Sequence, residues 1–241
     1  MRELFRFAEA PRQCSYLPHE IASLELRGIT DLSRAEYANL LARGYRRFGW
    51  QMFRPNCTEC AACRSLRILV RDFSPGRSER RILRQNAAIR AELHPLFVTT
   101  EIVSLYNRYH RFMQEHRGWP LQQCTTESYA DSFLSGAASH GRQWLYFDGG
   151  RLAGAALMDQ VPGAISLVYC FYDPDWRDRS PGTFSILNQL LYARSVNLEY
   201  AYLGYWIEAC PSMSYKRRFR PHEILREYPR DDEKPVWEMS V

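Results

Sequence analysis

Residues 165–219 decide the fold of this chain and read ISLVYCFYDPDWRDRSPGTFSILNQLLYARSVNLEYAYLGYWIEACPSMSYKRRF. Strand-forming side chains at 165–172 are followed by Pro174, which ends the strand because proline has no amide to donate. Apolar residues at helical spacing predict a helix at 183–194, and residues 200–205 predict a second strand. The segment therefore predicts strand, turn, helix and strand, followed by a basic, aromatic tail.

The turn between this first strand and the helix contains Arg179, Ser180, Gly182 and Thr183. The start of a helix directs unbonded backbone N–H groups and a partial positive charge at whatever lies in front of it, commonly an anion. These four residues are therefore candidates for binding a phosphate of a substrate. Pro181 lies within the turn and removes one amide donor from such a site.

Two further predicted strands precede this segment, at 143–147 and 151–158, and Asp148-Gly149-Gly150 between them indicates a tight hairpin. The order of hairpin, third strand, arginine- and glycine-bearing turn, helix and strand resembles the GNAT acyltransferase fold. The resemblance implies an α/β (α+β) fold with a mixed, twisted sheet. It also implies that the turn holds the pyrophosphate of acetyl-CoA and that the acyl carbonyl lies between two splayed strands. Phe184 departs from the small residue usual in that turn, which weighs against ordinary acetyl-CoA binding.

The chain is predicted to form two domains, with a boundary near Pro95. Residues 1–95 form an N-terminal domain with a cysteine cluster and a basic helix, and residues 96–241 form the GNAT-like transferase domain. The N-terminal domain is also interpreted as a degenerate GNAT-like half, because residues 50–94 run strand, arginine-bearing turn and helix. Apolar spacing places that helix at 78–93.

Three more helices are predicted from apolar spacing and from capping signals. Ser33 and Glu36 form a capping box at the start of a helix that runs to residue 43. The other two are expected at 99–115 and 126–135.

Length and composition describe a folded protein without a membrane partner. The chain has 241 residues, of which 46% are hydrophobic and 24% charged, and no apolar run approaches the ~18 residues of a membrane span. The N-terminus has no apolar signal region, so a cytoplasmic location with reduced cysteines is expected. The net charge of +5 permits a nucleic-acid partner without requiring one.

Cys57, Cys60 and Cys63 follow a C-x2-C-x2-C spacing, and Cys14 is a candidate fourth thiolate. Three thiols within seven residues suit a soft metal, either tetrahedral zinc or an iron–sulfur cluster. The alternative is a packed cluster of reduced thiols without metal, since one ligand is remote in sequence.

Two groups of basic residues indicate an anionic partner. Arg77, Arg80, Arg81 and Arg84 fall on one face of a helix, where guanidinium groups suit RNA phosphates or carboxylates. The alternative for these arginines is a solvated helix face. Tyr215 and Lys216 begin the second group, which combines charge with stacking surface as single-stranded nucleic acid requires.

Two aromatic residues in the last predicted strand, Tyr202 and Tyr205, are candidates for the catalytic site. Successive residues of a strand point to opposite faces, so only part of this aromatic set belongs to the core. We predict hydroxyl donors here for the oxyanion of an acyl-transfer reaction.

Motifs along most of residues 14–225 resemble the aminoacyl-tRNA–protein transferases. The N-terminal motifs are Cys14-Ser15-Tyr16-Leu17, Gly44-Tyr45-Arg46-Arg47, Phe53-Arg54-Pro55-Asn56-Cys57, Cys60, Ala62-Cys63, Arg67-Ile68 and Arg77-Ser78 with Arg80-Arg81, Arg84 and Asn86. The C-terminal motifs are Phe171-Tyr172-Asp173-Pro174, Arg179-Ser180 with Gly182-Thr183, Ala201-Tyr202-Leu203-Gly204-Tyr205-Trp206-Ile207, and Met213 with Tyr215-Lys216, Phe219-Arg220-Pro221 and Glu223.

The compact length is similar to the bacterial branch of that family. This resemblance implies transfer of leucine from leucyl-tRNA to proteins that begin with Asp or Glu, which marks them for degradation through the N-degron pathway. Longer eukaryotic relatives transfer arginine and bind an iron–sulfur cluster or metal through the corresponding cysteines. The chemistry itself requires no cofactor, because an aminoacyl-tRNA is already an activated ester.

Within this resemblance, we predict a role for each group of candidate residues. Tyr205 and Tyr202 are expected near the ester carbonyl, and the turn at 179–183 near the terminal adenosine and phosphates. Cations among Arg77, Arg80 and Lys216 are expected to pair with the acceptor's carboxylate. The alternatives are an arginyltransferase, a GNAT enzyme that uses a thioester, and a non-catalytic RNA-binding protein with a metal knuckle.

Overall fold

The computed structural model describes residues 1–121 and 123–240. The strands are β1 (Arg2–Ala8), β2 (Arg12–Gln13), β3 (Ile21–Ala22), β4 (Leu24–Thr30), β5 (Arg46–Phe48), β6 (Gln51–Pro55), β7 (Arg64–Leu69), β8 (Arg90–Pro95), β9 (Gly141–Asp148), β10 (Arg151–Val161), β11 (Ala164–Tyr172), β12 (Tyr200–Trp206), β13 (His222–Leu225) and β14 (Trp237–Met239). The α-helices are α1 (Arg34–Ala42), α2 (Arg77–Gln85), α3 (Thr100–Arg117), α4 (Thr126–Tyr129), α5 (Pro181–Ser195) and α6 (Pro211–Ser214). A π-helical turn covers Ala130–Leu134, and 3₁₀ helices cover Pro174–Arg179 and Tyr215–Arg218.

The chain divides into two compact units that alternate along the sequence. Unit 1 comprises residues 1–73, 161–166 and 193–241, and unit 2 comprises residues 74–160 and 167–192. The units therefore differ from the predicted division at residue 95. The physical reason is long-range strand pairing, because β7 from the N-terminal half is hydrogen-bonded to both β12 and β13.

Unit 1 contains two main sheets. The first is antiparallel, with the strand order β1-β4-β6-β5. In the second, β14, β13, β7 and β12 are neighbours in that order, and the first three residues of β11 pair with β12 in parallel. Since β12 is antiparallel to β7 and parallel to β11, the predicted mixed sheet and α/β fold are confirmed.

Helix α1 supplies one side of the unit 1 core. Ser33 caps its start and Glu36 completes the predicted capping box, which satisfies backbone N–H groups that a helix start leaves unbonded. Gly44 follows the helix with a left-handed φ of 84°, a conformation that favours glycine. The buried face of the helix, Tyr37, Leu40 and Leu41, packs in one cluster with Tyr202.

In unit 2, β10 lies between β9 and β11, and β9 is bordered by β8. The predicted hairpin joins β9 to β10 through Gly149 and Gly150, whose φ angles of 57° and 89° cost little in residues without a Cβ. Helix α3 contributes Tyr106 and Tyr109 to an aromatic core that also contains Phe133 and Phe171.

Two predicted helices differ from the structure. The helix expected at 78–93 ends at Gln85, and Arg90–Pro95 forms β8, which pairs with β9 along its length. Asn86 is the C-cap of the helix, and its side-chain amide donates to Ile82 O at 2.9 Å in addition to the bond from its backbone N–H. The helix expected at 126–135 is short α4 followed by the π-helical turn. Within the described residues, no helix has the length and apolar character needed to cross a membrane.

Candidate active site

The candidate site in unit 1 begins where β11 pairs with β12 in parallel. The three pairs are Ala164 with Tyr200, Ile165 with Ala201, and Ser166 with Tyr202. Just beyond them, the register between β12 and β7 shifts between Tyr202 and Gly204. Such a bulge changes the direction of the side chains and is common next to functional sites.

Gly204 leaves room for a cation at this bulge. Its φ is +76°, and a Cβ added there would lie 3.3 Å from Cζ of Arg46. The guanidinium of Arg46 donates from Nη1 to the hydroxyl of Ser166 at 2.7 Å, and Ser166 is buried. Glycine at 204 therefore permits both the left-handed backbone and the close approach of Arg46.

Lys216 brings a second positive group to the same place. It lies in the 3₁₀ helix Tyr215–Arg218, is partly buried, and donates from Nζ to the backbone oxygen of Tyr205 at 2.6 Å. Burial, followed by the charge of nearby Arg46, lowers the pKa of Lys216 to about 7. Among the described residues, no carboxylate forms a salt bridge with Lys216. Arg46 and Lys216 are close together, and Lys216 has no salt bridge to a carboxylate among the described residues. The pair therefore suits an anionic ligand.

Tyr205 lies beside this pair, but its hydroxyl is already committed. It donates to the backbone oxygens of Phe53 at 3.0 Å and Gly44 at 3.3 Å, and the ring is buried. Burial raises the pKa of Tyr205 well above its ordinary value, so the phenol keeps its single proton. In this geometry the hydroxyl proton is used in hydrogen bonds to the backbone of unit 1, and the predicted role of Tyr205 as an oxyanion donor stays a prediction.

Tyr202 belongs to the hydrophobic cluster around α1. Its hydroxyl lies 3.4 Å from Nη1 of Arg67, whose Nε donates to Glu223 at 2.7 Å. Burial raises the pKa of Tyr202, which keeps this phenol neutral. Packing explains Tyr202 fully, and its predicted catalytic role stays a prediction.

The turn predicted to bind phosphate lies in unit 2 and has the expected form. Ser180 takes a left-handed φ of 56°, and α5 begins directly after it at Pro181. Proline at the first position of a helix removes an N–H that has no partner in the helix, so its effect on the helix is small. A Cβ added at Gly182 would meet nothing within 4 Å, so the backbone at Gly182 is approachable on that side. Arg179 is held by an ion pair with Asp148.

The remaining candidates for substrate binding are distributed over both units. Arg77 and Arg80 are exposed on α2 in unit 2, while Tyr215 stands next to Lys216 in unit 1 and is partly buried. The structure thus places all three of Lys216, Tyr205 and Tyr202 in unit 1, where Lys216 contacts the backbone of Tyr205 and Tyr202 packs in the cluster around α1. It places Arg77 and Arg80 with the 179–183 turn in unit 2.

The cysteines predicted to bind metal gather in unit 1. Cys14, Cys60 and Cys63 pack against a small cluster that contains Cys210. Burial, followed by the nearby thiols, raises the pKa of Cys63 to about 12, which opposes formation of the thiolate in the absence of a cation. Within residues 1–121 and 123–240, no three His, Cys, Asp or Glu side chains are arranged to hold a metal ion. The thiol donor set is of the right kind, and the metal site stays a prediction.

Arg46 and Ser166 are the site residues that the sequence did not single out. Arg46 appears in the sequence only as part of the motif Gly44-Tyr45-Arg46-Arg47, and Ser166 lies near the start of an apolar strand. A serine among strand-forming apolar residues is the one local signal for a polar site at this point.

Known proteins and family models match this chain along most of its length. Residues 12–81 match the family model described as arginine-tRNA-protein transferase, N terminus, and residues 101–226 match the model for its C terminus. An aspartate/glutamate leucyltransferase of Helicobacter hepaticus is 37% identical over 236 residues, which cover 98% of each chain. The enzyme of the same name from Pseudomonas aeruginosa is 38% identical over 93% of this chain and 96% of its own.

Solved structures are similar at lower identity. FemX is 9% identical, with a TM-score of 0.48 over 96% of this chain and 82% of its own. A tandem GNAT protein from the clavulanic acid biosynthesis pathway is 13% identical, with a TM-score of 0.44 over 88% of this chain and 57% of its own.

Proposed function

Because this chain belongs to the aminoacyl-tRNA–protein transferase family, we propose that it transfers leucine from leucyl-tRNA to the α-amine of proteins that begin with Asp or Glu. The protein is an aminoacyltransferase, and the arginyltransferases form the related branch. The donor is an aminoacyl-tRNA, and its presence in the cytoplasm during protein synthesis supports a cytoplasmic location for this enzyme.

The observation that carries the proposal is the pair of cations formed by Arg46 and Lys216. An acceptor protein with Asp or Glu at its first position presents a carboxylate one short side chain away from the reacting amine. A carboxylate bound by a guanidinium and an ammonium group makes charge-assisted hydrogen bonds, which are shorter and stronger than neutral ones. It would also favour the protonated form of Lys216, which burial and Arg46 now disfavour. The pair therefore selects acceptors by charge.

The reaction needs little covalent help from the protein. The attacking α-amine has a pKa of about 7.7–8.0, so a large fraction is already neutral near pH 8. Holding amine and ester in a productive orientation contributes several kcal/mol, about 7 in favourable cases. We assign orientation of the amine to the carboxylate anchor at Arg46 and Lys216.

For the donor, the 179–183 turn is our candidate for contacts with phosphates at the acceptor end of the tRNA. It joins an approachable backbone at Gly182 to the start of the 15-residue helix α5, whose first N–H groups favour an anion. The cysteine cluster is a separate proposal. If Cys14, Cys57, Cys60 and Cys63 hold zinc or an iron–sulfur cluster, its role is to stabilise unit 1, and the transfer chemistry does not depend on it.

A transfer assay with two donors and two acceptors tests the proposed function. Peptides that begin with Asp or Ala are each offered leucyl-tRNA and arginyl-tRNA, and the product is identified by mass spectrometry. We expect leucine on the Asp peptide and no product on the Ala peptide. Arginine on the Asp peptide would move the enzyme to the arginyltransferase branch. Absence of transfer from both donors by folded protein would contradict the proposal.

The carboxylate anchor makes the reaction depend on pH in a defined way. Lys216 must be protonated to bind the acceptor and loses its proton above its pKa of about 7, whereas the acceptor amine must lose its proton at about 7.7–8.0. We therefore expect kcat/KM for an Asp peptide to pass through a maximum between about pH 7 and 8 and to fall on both sides.

Initial rates at low peptide concentration across the range from about pH 6 to about 9.5 measure this profile. Lys216→Arg is the matched control, because arginine stays charged and should remove the alkaline decline. A wild-type profile that keeps rising above about pH 8.5 would rule out the titration of Lys216 as the cause.

A further inference from the structure

Helix α2 in unit 2 presents a row of four arginines to solvent. Arg77, Arg80, Arg81 and Arg84 are all exposed and lie at positions i, i+3, i+4 and i+7 of the helix. At 1.5 Å per residue, the row extends about 10 Å along the helix axis. We call these four residues the α2 arginine row.

The charge of this row is largely uncompensated. Arg80 donates from Nη1 to the backbone oxygen of Pro75 at 2.6 Å, which leaves its positive charge in place. Among the residues that the structure describes, no carboxylate forms a salt bridge with a member of the row. Glu79, the acidic residue of this helix, accepts the backbone N–H of Gly76 and caps the helix start. The row is therefore a positive surface, and not a network of internal ion pairs.

The row is held in a fixed place although no residue of α2 is fully buried. Asn86, which is 1% exposed, donates to Ile82 O at 2.9 Å and to Arg179 O at 2.8 Å. Its amide oxygen accepts from the indole of Trp176 at 2.7 Å. Asn86 thus ties the end of α2 to the turn that carries Arg179. Because these hydrogen bonds hold the end of α2 in place, its arginines lose less conformational freedom on binding a ligand than arginines in a flexible tail would lose.

We propose that the α2 arginine row is a surface that binds the phosphate backbone of the tRNA. This proposal rests on the proposed function. Guanidinium groups bind phosphate oxygens in a bidentate manner and suit RNA backbones. A single acceptor carboxylate offers partners to one or two of the four arginines, while a polyanion engages the whole row. This assignment replaces the predicted role of Arg77 and Arg80 in acceptor binding.

The test compares two double variants that remove the same amount of charge. Arg81→Ala/Arg84→Ala removes two members of the row. Arg226→Ala/Arg230→Ala removes two exposed arginines of unit 1 that lie near Glu238 and Glu233. Binding of deacylated leucine-accepting tRNA is measured by fluorescence anisotropy at several salt concentrations.

The slope of log affinity against log salt becomes shallower by about 0.7–0.9 for each phosphate that the protein no longer neutralises. For two phosphates, we expect the wild-type protein to lose about tenfold more affinity than the row variant when salt rises fourfold. The control variant should keep the wild-type slope.

The outcomes separate this surface from the proposed function. Wild-type transfer with an unchanged tRNA slope in the row variant would overturn the surface and leave the function intact. A raised KM of the row variant for the Asp peptide, with unchanged tRNA binding, would also overturn the surface, because it would show that the row recognises the acceptor. A reduced slope in the row variant supports the surface even if the wild-type protein transferred no leucine.

Discussion

Replacing Glu25 with alanine should lower the free energy of unfolding by about 3–5 kcal/mol, because it leaves the buried Arg54 without its counter-charge. Glu25 is buried in unit 1 and accepts from Nε of Arg54 at 2.7 Å and from the hydroxyl of Tyr45 at 2.8 Å. Arg6 also donates to it, and Arg54 lies over the ring of Tyr45 at 4.5 Å. One carboxylate therefore holds three donors, two of them charged.

Urea-induced unfolding monitored by tryptophan fluorescence measures the change. Glu25→Gln keeps the shape of the side chain and should still destabilise, because the charge is removed. Glu233→Ala is the control, since Glu233 pairs with Arg230 at 3.0 Å where both are exposed, and its removal should cost less than about 1 kcal/mol. Equal effects of the buried and the exposed substitutions would contradict the argument.

The contribution of Glu25 depends on pH with a known sign. Burial by itself raises the pKa of Glu25, but hydrogen bonds from Tyr45 and Arg54 outweigh it and hold the pKa below 4.5. A lowered pKa in the folded state stabilises the protein above the unfolded-state pKa, and this stabilisation is lost as pH falls through the folded-state value. The difference between wild type and Glu25→Gln should therefore shrink below about pH 4.

Replacing Lys216 with methionine should remove most of the preference for acidic acceptors. A hydrogen bond to a charged group contributes about 1.5–3 kcal/mol, so kcat/KM for an Asp peptide should fall about tenfold to a hundredfold. An Asn peptide has the same shape without the charge, and its slower transfer should change little. Methionine has a similar length and no charge, so the fold should be retained.

The measurement is the ratio of kcat/KM for Asp and Asn peptides in wild type, Lys216→Met and Lys216→Arg. The arginine variant should keep part of the preference, because it keeps the charge. A thermal melt near pH 7 checks that the methionine variant is folded. An unchanged Asp-to-Asn ratio in the methionine variant would remove Lys216 from acceptor recognition.

Local patterns were sufficient to predict much of the fold. The strand, turn, helix and strand of residues 165–205 follow from apolar spacing and from Pro174, and these signals depend only on near neighbours in the chain. The capping box at Ser33 and Glu36 is local in the same sense, and the structure contains it. The helix expected at 78–93 was wrong beyond Gln85 because Asn86 and the pairing of β8 with β9 override the apolar spacing.

The candidate site was less predictable because its contacts are distant in sequence. Arg46 and Ser166 are 120 positions apart, and no spacing rule connects them. Tyr205 was predicted as an oxyanion donor from its place in a strand, but its hydroxyl is bound to Phe53 and Gly44, 152 and 161 positions away. Lys216 was predicted to pair with the acceptor's carboxylate, which stays a prediction, and its position close to Arg46 depends on the fold.

The alternation of the two units along the chain has a consequence for biosynthesis. A ribosome that has translated residue 192 has supplied every residue of unit 2, but unit 1 still lacks residues 193–241. Until those residues emerge, Tyr37 and Leu41 of α1 lack Tyr202, and β7 lacks both β12 and β13. Residues 1–73 are therefore made before unit 2 but belong to the unit that is completed after it, and their apolar surface is exposed to aggregation throughout the intervening elongation.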